Sequence, residues 1–432
     1  MAFLLDSENV FAYLVQTGLY SKDQVCDGLQ PQAGKNFTLK ISSDNSSLLI
    51  KQEPHDIDGE ASGEIFHEWS FYQLLEKISA LADMRSRIVS PLHFDADNSI
   101  LVFPFLSDVC DLSDFYDDFC DNALTNQENR FQKKKSETDA TSRCQTVDGI
   151  LPLTVATALG GNFAELHSST FQNSECKDFV LECYRAEDAE NPEKHLLPDF
   201  LLGLRRLTPE TFCVIPTDAL KFFRFYQRYP AIGSAIEAIN QSFDPCCVVH
   251  RDPRFANFLL RDAASFTIHQ PQVTVNVIDW EKWTWGDPAY DLGELISNYL
   301  KLWLTSLPVS ANLDLNTTLS KARVPLSAVQ PSIEALIKSY IKQFPEILSY
   351  RPNFLTQLIQ FAGLGLIRQV QLYIAHKYSL GNAEMAMLQV AKSLLCQPES
   401  SLSTVVGQSK VEIESAVNGI AQRNTIMQEV NQ

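Results

Sequence analysis

The chain has 432 residues, 45% hydrophobic and 20% charged, which is enough apolar surface for a sizeable core and too much for a wholly disordered polypeptide. Its 35 basic and 53 acidic residues give a net charge of −18, which repels phosphate backbones and anionic lipid and argues against nucleic acid or a membrane surface as partner. Ten cysteines without a C-x-x-C pair or repeated spacing argue against a zinc site and a disulfide framework.

The opening MAFLLDSENVFAYLV lacks a basic segment and carries Asp6 and Glu8 in its apolar run. Residues 1–23 therefore read as a helical extension rather than a signal peptide, in a protein of the reducing cytoplasm. No apolar run approaches the length of a membrane span. From 24 to 106, strand and helix signals alternate: FTLKIS (37–42), the turn SDNSS, LLIKQE (48–53), the amphipathic EIFHEWSFYQLLEKI (64–78), HFDADNS as a turn, and ILVFPFL (100–106). The pattern predicts a small sheet with one helix inserted after its third strand. Residues 107–150 begin as a short acidic helix, with aspartates at 108, 111, 114, 117, 118 and 121, and continue as a polar, lysine-bearing loop. That acidic face reads as solvated surface and leaves open an acidic rim attracting amine-bearing acceptors. From 151 to 398 helices dominate, among them 151–168, 218–240, PSIEALIKSYIKQF and FLTQLIQFAGLGLIRQVQLYIAH, the last a core helix with Arg368 and Gln369 on one side. Residues 399–432 read as a tail.

The stretch VVHRDPRFANFLL (248–260) sets four charged or ionisable groups and a carboxamide between apolar runs, a costly arrangement for plain core. The runs FLL (258–260) and VTVNVI (273–278) predict a hairpin, so the loop before it and Asp279 after it emerge at one edge. Asp252, Asn257 and Asp279 can then converge. Two carboxylates and a carboxamide oxygen suit a hard, water-retaining cation such as Mg²⁺. A carboxylate that does not bind the metal, near its ordinary pKa of ~3.9, can accept a proton or orient a hydroxyl.

His250-Arg251-Asp252, with Asn257 five residues beyond, matches the H-x-D-x-x-x-x-N loop of the kinase fold. Ile278-Asp279-Trp280-Glu281, followed by Gly286-Asp287-Pro288-Ala289-Tyr290-Asp291-Leu292, resembles the run found in the aminoglycoside phosphotransferase and choline kinase-like family. The resemblance implies an α+β, bilobal protein kinase-like fold: a small antiparallel-sheet N-lobe with one helix (24–106) and a larger, mostly helical C-lobe (151–398). It implies a catalytic set of Asp252, His250 and Asn257, in which Asp252 receives or orients the acceptor hydroxyl while His250, like Asp291, braces the loop. Asn257 and Asp279 correspond to the magnesium ligands. Lys51, on the third strand, corresponds to the lysine that holds the nucleotide's phosphates, with Glu68 as its ion-pair partner and Glu64 as the rival. ILVFPFL resembles the hinge strand that presents backbone groups to adenine, with Phe103, Pro104 and Phe105 nearest the linker, and Ala164-Glu165-Leu166-His167 resembles a helix ending in Leu-His. Gly34 is the single glycine of the stretch Gln32–Phe37 that would cover the nucleotide.

The function so implied is an ATP- and Mg²⁺-dependent phosphotransferase that moves the γ-phosphoryl group to a hydroxyl of a small molecule. A Ser/Thr peptide kinase of lanthipeptide-type maturation, working with a partner enzyme, and a non-catalytic nucleotide-binding scaffold stand as alternatives. Asp287 reads as a turn starter, His167 as a helix C-terminal residue, and Trp280, Trp283 and Trp285 as packing residues.

Overall fold

The computed structural model describes residues 3–24, 26–32, 36–43, 46–55, 61–121, 151–185, 217–267, 270–308, 315–377 and 380–408. Strands β1 (Cys26–Gln32), β2 (Phe37–Ser43), β3 (Ser46–Gln52), β4 (His93–Asp95) and β5 (Ile100–Pro104) form one antiparallel sheet in the order β1-β2-β3-β5-β4. The stretch HFDADNS, expected as a turn, is a strand in its first three residues and a turn only from 96 to 99, because His93–Asp95 finds a free edge on β5.

Alternation along β3 decides what each face of this sheet does. Leu48 and Ile50 point to one side, where they join Leu39, Ile41, Ile100 and Val102 beneath helix α1 (Val10–Gln16), which contributes Val10, Tyr13 and Leu14. Gln52 fixes the incoming chain on that side, accepting from Leu5 N at 2.8 Å and donating to Phe3 O at 2.8 Å. Leu49 and Lys51 therefore face the other way, toward helix α2 (Glu64–Lys77). Glu53 anchors the start of α2 by accepting from the backbone of Glu64 and Ile65, at the positive end of the helix.

The larger half begins with β6 (Val109–Asp111) and the acidic helix α3 (112–121), which buries Leu112, Phe115, Tyr116 and Cys120 at helical spacing. Helices α4 (Leu153–Thr170), α5 (Ser174–Arg185), α6 (Thr217–Arg228) and α7 (Pro230–Ser242) follow. A single helix was expected over 218–240; it breaks at Tyr229, whose extended backbone is imposed by Pro230, the first residue of α7. The centre carries β7 (Cys247–Val249), β8 (Phe258–Arg261), β9 (Val275–Val277) and β10 (Thr284–Gly286). The expected hairpin is present, with Phe258 opposite Val277 and Leu260 opposite Val275.

After it come α8 (Pro288–Thr305), α9 (Leu315–Ser320), α10 (Leu326–Gln343), α11 (Glu346–Tyr350), α12 (Phe354–Lys377), α13 (Asn382–Cys396) and α14 (Pro398–Val406). The segment read as a tail from 399 thus opens with a helix that buries Leu402, Val405 and Val406; residues beyond 408 lie outside the described ones. Helices α8 and α12 approach closely at Gly293, where a Cβ would stand 2.8 Å from the Phe361 carbonyl carbon and 2.9 Å from Ala362 N. Small-sheet N-lobe and helical C-lobe together make the protein kinase-like architecture. Among the described residues no helix is long and apolar enough to cross a membrane.

Candidate active site

The loop from His250 to Asn257 connects β7 to β8 and is held from beneath. Asp291, fully buried in the first turn of α8, accepts the backbone N–H groups of His250 at 2.7 Å and Arg251 at 2.9 Å. Arg251 sits at φ +66, a left-handed conformation costly for a side-chain-bearing residue and maintained here by those two bonds. His167, fully buried near the end of α4, contacts Asp291 through Nε2 at 3.3 Å and the Tyr340 hydroxyl through Nδ1 at 3.0 Å. It is thus a brace beneath the loop. His250 is another: its Nδ1 accepts from Asp252 N at 3.2 Å, which leaves Nε2 to carry the proton and donate to Ile278 O at 3.0 Å. Asp287 caps α8 by accepting from Ala289 N and pairs with the buried Arg351, so it is more than a turn starter and stands apart from the chemistry.

These braces bring the two motif segments together. Ile278 N donates to Asn257 O at 3.0 Å, which places Asn257 and Asp279 at one end of the β8–β9 hairpin. Asn257 Nδ2 donates to Asp252 O at 2.9 Å, turning its Oδ1 the other way as an acceptor. Asp279 also holds a left-handed backbone, φ +64, the second such residue in the cleft.

Lys51 reaches across from the sheet. Its Nζ lies 2.7 Å from Glu68 Oε2, 2.7 Å from Asp279 Oδ1 and 3.2 Å from Glu281 Oε2. Glu68, not Glu64, is therefore the partner offered by α2. Burial favours the neutral amine, yet Glu68, Asp279 and Glu281 hold the Lys51 ammonium well above its usual range. Asp279 is held below the ordinary carboxylate range, against burial, by Lys51, whereas burial and Asp279 push Glu281 up. Helix α2 is clamped to the same segment: Trp283 Nε1 donates to His67 O at 2.8 Å, His67 Nε2 meets Trp283 O at 2.7 Å, and the Phe71 and Trp280 rings stack with centroids 3.6 Å apart. The three tryptophans, all buried, are the packing residues they were read as.

Asp252 has a different environment from the one its sequence suggests. Its carboxylate is fully buried beneath three cations: Arg254 Nε at 2.8 Å, Lys282 Nζ at 2.8 Å and Arg368 Nη2 at 2.6 Å. Burial alone would raise its pKa, but Arg368, Lys282 and Arg254 carry it well below the ordinary range of ~3.9 first assigned to it. So strongly ionised a group is a poor proton acceptor and a good fixed acceptor for orienting a hydroxyl. Arg254, Lys282, Arg368 and Glu281 are the site residues the sequence reading gave no role. For Arg368 the available signal was a lone charged residue in the helix ahead of its final Lys377, after Gly363 and Gly365.

The remaining expected residues lie at the margins. The Phe103 ring is buried in the core against Tyr72, at a centroid distance of 6.0 Å, which leaves its backbone as the part the hinge expectation concerns. The Phe105 N–H donates to Ser47 O, and Lys40 Nζ covers its ring at 4.0 Å. Gly34 lies outside the described residues; its neighbour Asn36 is buried and donates to Glu281 Oε2 at 3.4 Å.

Whether the site fits a divalent cation follows from its donors. Among the described residues no group of three or more His, Cys, Asp or Glu side chains could hold a metal. Asn257 Oδ1 and Asp279 are hard oxygen donors at one hairpin end, the sparse set that Mg²⁺ accepts while keeping water and phosphate oxygens. Three carboxylates gather around the single Lys51 ammonium, surroundings rich in oxygen donors that suit a divalent ion. The residues fit.

Residues 154–319 match the model of the phosphotransferase enzyme family. Three solved structures resemble the chain at low identity. A spectinomycin phosphotransferase in complex with ADP and spectinomycin is 12% identical, with 92% of this chain and 99% of that one covered and a TM-score of 0.40. A choline/ethanolamine kinase family protein from Mesorhizobium loti is 15% identical (93% and 99%, TM-score 0.40). The aminoglycoside phosphotransferase APH(4)-Ia is 10% identical (90% and 98%, TM-score 0.41). No curated protein matches. The match spans the loop, the hairpin and the bracing helix just described, and over that segment the chain is similar to the phosphotransferase enzyme family.

Proposed function

We propose that the protein is a kinase that moves the γ-phosphoryl group of ATP to a hydroxyl of a small molecule, acting in the cytoplasm. The observation that carries this reading is the meeting of Lys51, Glu68 and Asp279 from two lobes beside the Asp252–Asn257 loop. Lys51 holds the nucleotide's phosphates, and Glu68 fixes the direction of its ammonium. Asn257 and Asp279 hold magnesium, which when bound neutralises charge on the phosphates and on the group in transfer. Asp252 accepts a hydrogen bond from the acceptor hydroxyl and aims its oxygen, a contribution of position rather than of basicity.

Asp252→Asn keeps the shape and removes the fixed charge. Magnesium-dependent ADP release in the presence of the acceptor should fall by about two to four orders of magnitude, while nucleotide affinity holds. Asp279→Asn should instead weaken the magnesium–nucleotide complex. Undiminished turnover by Asp252→Asn would remove Asp252 from the chemistry.

A further inference from the structure

The two ends of the cleft carry opposite surpluses. On the lysine side, three carboxylates surround one ammonium. On the Asp252 side, two guanidinium groups and one ammonium surround one carboxylate, and the ammonium of Lys282 also lies 4.0 Å from Glu281 Oε1 where the two sides adjoin. These three cations come from separate elements: Arg254 from the loop, Lys282 from the turn between β9 and β10, and Arg368 from α12. Arg368 is only 13% exposed, a costly place for a guanidinium, and its shortest ion pair is to Asp252 in the cleft. Its second carboxylate, Glu294 at 3.5 Å, is pushed up to about 7 by burial, so Glu294 compensates it only in part at neutral pH. Arg254 and Lys282 remain 39% and 41% exposed, open to a ligand arriving from solvent.

Beyond the hydrogen bond to Asp252, a neutral alcohol makes no ion pair at this end of the cleft, and a cationic one meets three positive groups. We infer that the acceptor bears its own anionic group, a carboxylate or a phosphate, and that Arg254, Lys282 and Arg368 receive it while Asp252 orients the neighbouring hydroxyl. The inference rests on the kinase reading above and narrows its substrate class. In the transfer, the bond between the γ-phosphorus and the oxygen bridging to the β-phosphate breaks, and a bond from the acceptor oxygen to that phosphorus forms. The hydroxyl proton leaves past Asp252 to solvent, and the nucleoside diphosphate departs with the bridging oxygen. On a chain of net charge −18, such a local patch also draws an anion inward against the global field.

The test uses the full chain with Mg²⁺ and a non-hydrolysable ATP analogue. Inorganic phosphate and malonate are titrated calorimetrically as separate probes, with choline as the cationic control. Saturable binding of either anion, weakened about tenfold in Lys282→Gln and in Arg254→Gln, supports the inference, and the probe that binds names the group. Both substitutions are at partly exposed positions; circular dichroism and unchanged nucleotide affinity show that each variant is folded. Binding of neither anion, binding equal in the variants, or preferential binding of choline overturns it. A panel of alcohols scored by mass gain of one phosphate adds a second arm: turnover confined to neutral or cationic alcohols also overturns it. Failure of the kinase reading is a separate result, namely no binding of the magnesium–nucleotide complex at all.

Discussion

Asp252 and Glu294 are two buried carboxylates joined through one arginine, and they respond to pH in opposite senses. Asp252 is depressed by its three cations, so its contribution to stability is present above the unfolded pKa of ~3.9 and lost only as pH falls below that. Glu294 is raised from 4.5 to about 7, so the folded state binds the extra proton between those values. Stability then declines as pH climbs from 4.5 toward 7 and levels off above it. Glu294→Gln should abolish that decline: at pH near ~8 the variant should melt higher than the parent, and near ~5 the two should converge. Thermal melts in matched buffers check this, and a parent curve flat across the window would refute it. The residue scale also shows what the linear text makes visible. His250, Asp252 and Asn257 lie within eight residues, and their spacing is chemistry in itself. Arg368 contacts Asp252 across 116 positions, and in the linear text it looks like the polar side of a core helix.

At the scale of elements, alternation and punctuation were readable and contacts between helices were not. Lys51 and Glu68, assigned through the family resemblance with Glu64 as rival, lie 2.7 Å apart because alternation along β3 turns Lys51 toward α2 and away from the face of Ile50. Pro230 was visible and its consequence was missed, because apolar spacing continued through it. The close approach of α8 and α12 is written only as glycines whose neighbours are remote. It matters to function, since α8 carries Asp291 and Glu294 while α12 carries Arg368. Gly293→Ala should force these helices apart, costing about 1–3 kcal/mol in denaturant unfolding, as overpacking of a tight core does. The same shift should loosen Arg368 from Asp252 and lower turnover more than nucleotide affinity.

Across the whole molecule, the lobes meet through charge and aromatic rings together. Lys51 with Asp279 and Glu281, Asn36 with Glu281, and His67 with Trp283 all cross the cleft. Under the proposed kinase function, a divalent ion with its nucleotide would offset the negative charge around Lys51. Magnesium with ATP should therefore raise the melting temperature, with stabilisation of about 2.7 kcal/mol at a hundredfold excess over Kd, and chelation with EDTA should reverse most of it. ATP without magnesium should shift it far less. Differential scanning fluorimetry at several nucleotide concentrations reads this directly.

The first twenty or so residues are not an ornament on this architecture, because Gln52 fastens them and α1 roofs the outer side of the sheet. A shortened chain starting at Cys26 would strip that roof and bare a greasy wall of Leu39, Ile41, Leu48 and Ile50, and it should clump with its own copies more readily than the full chain.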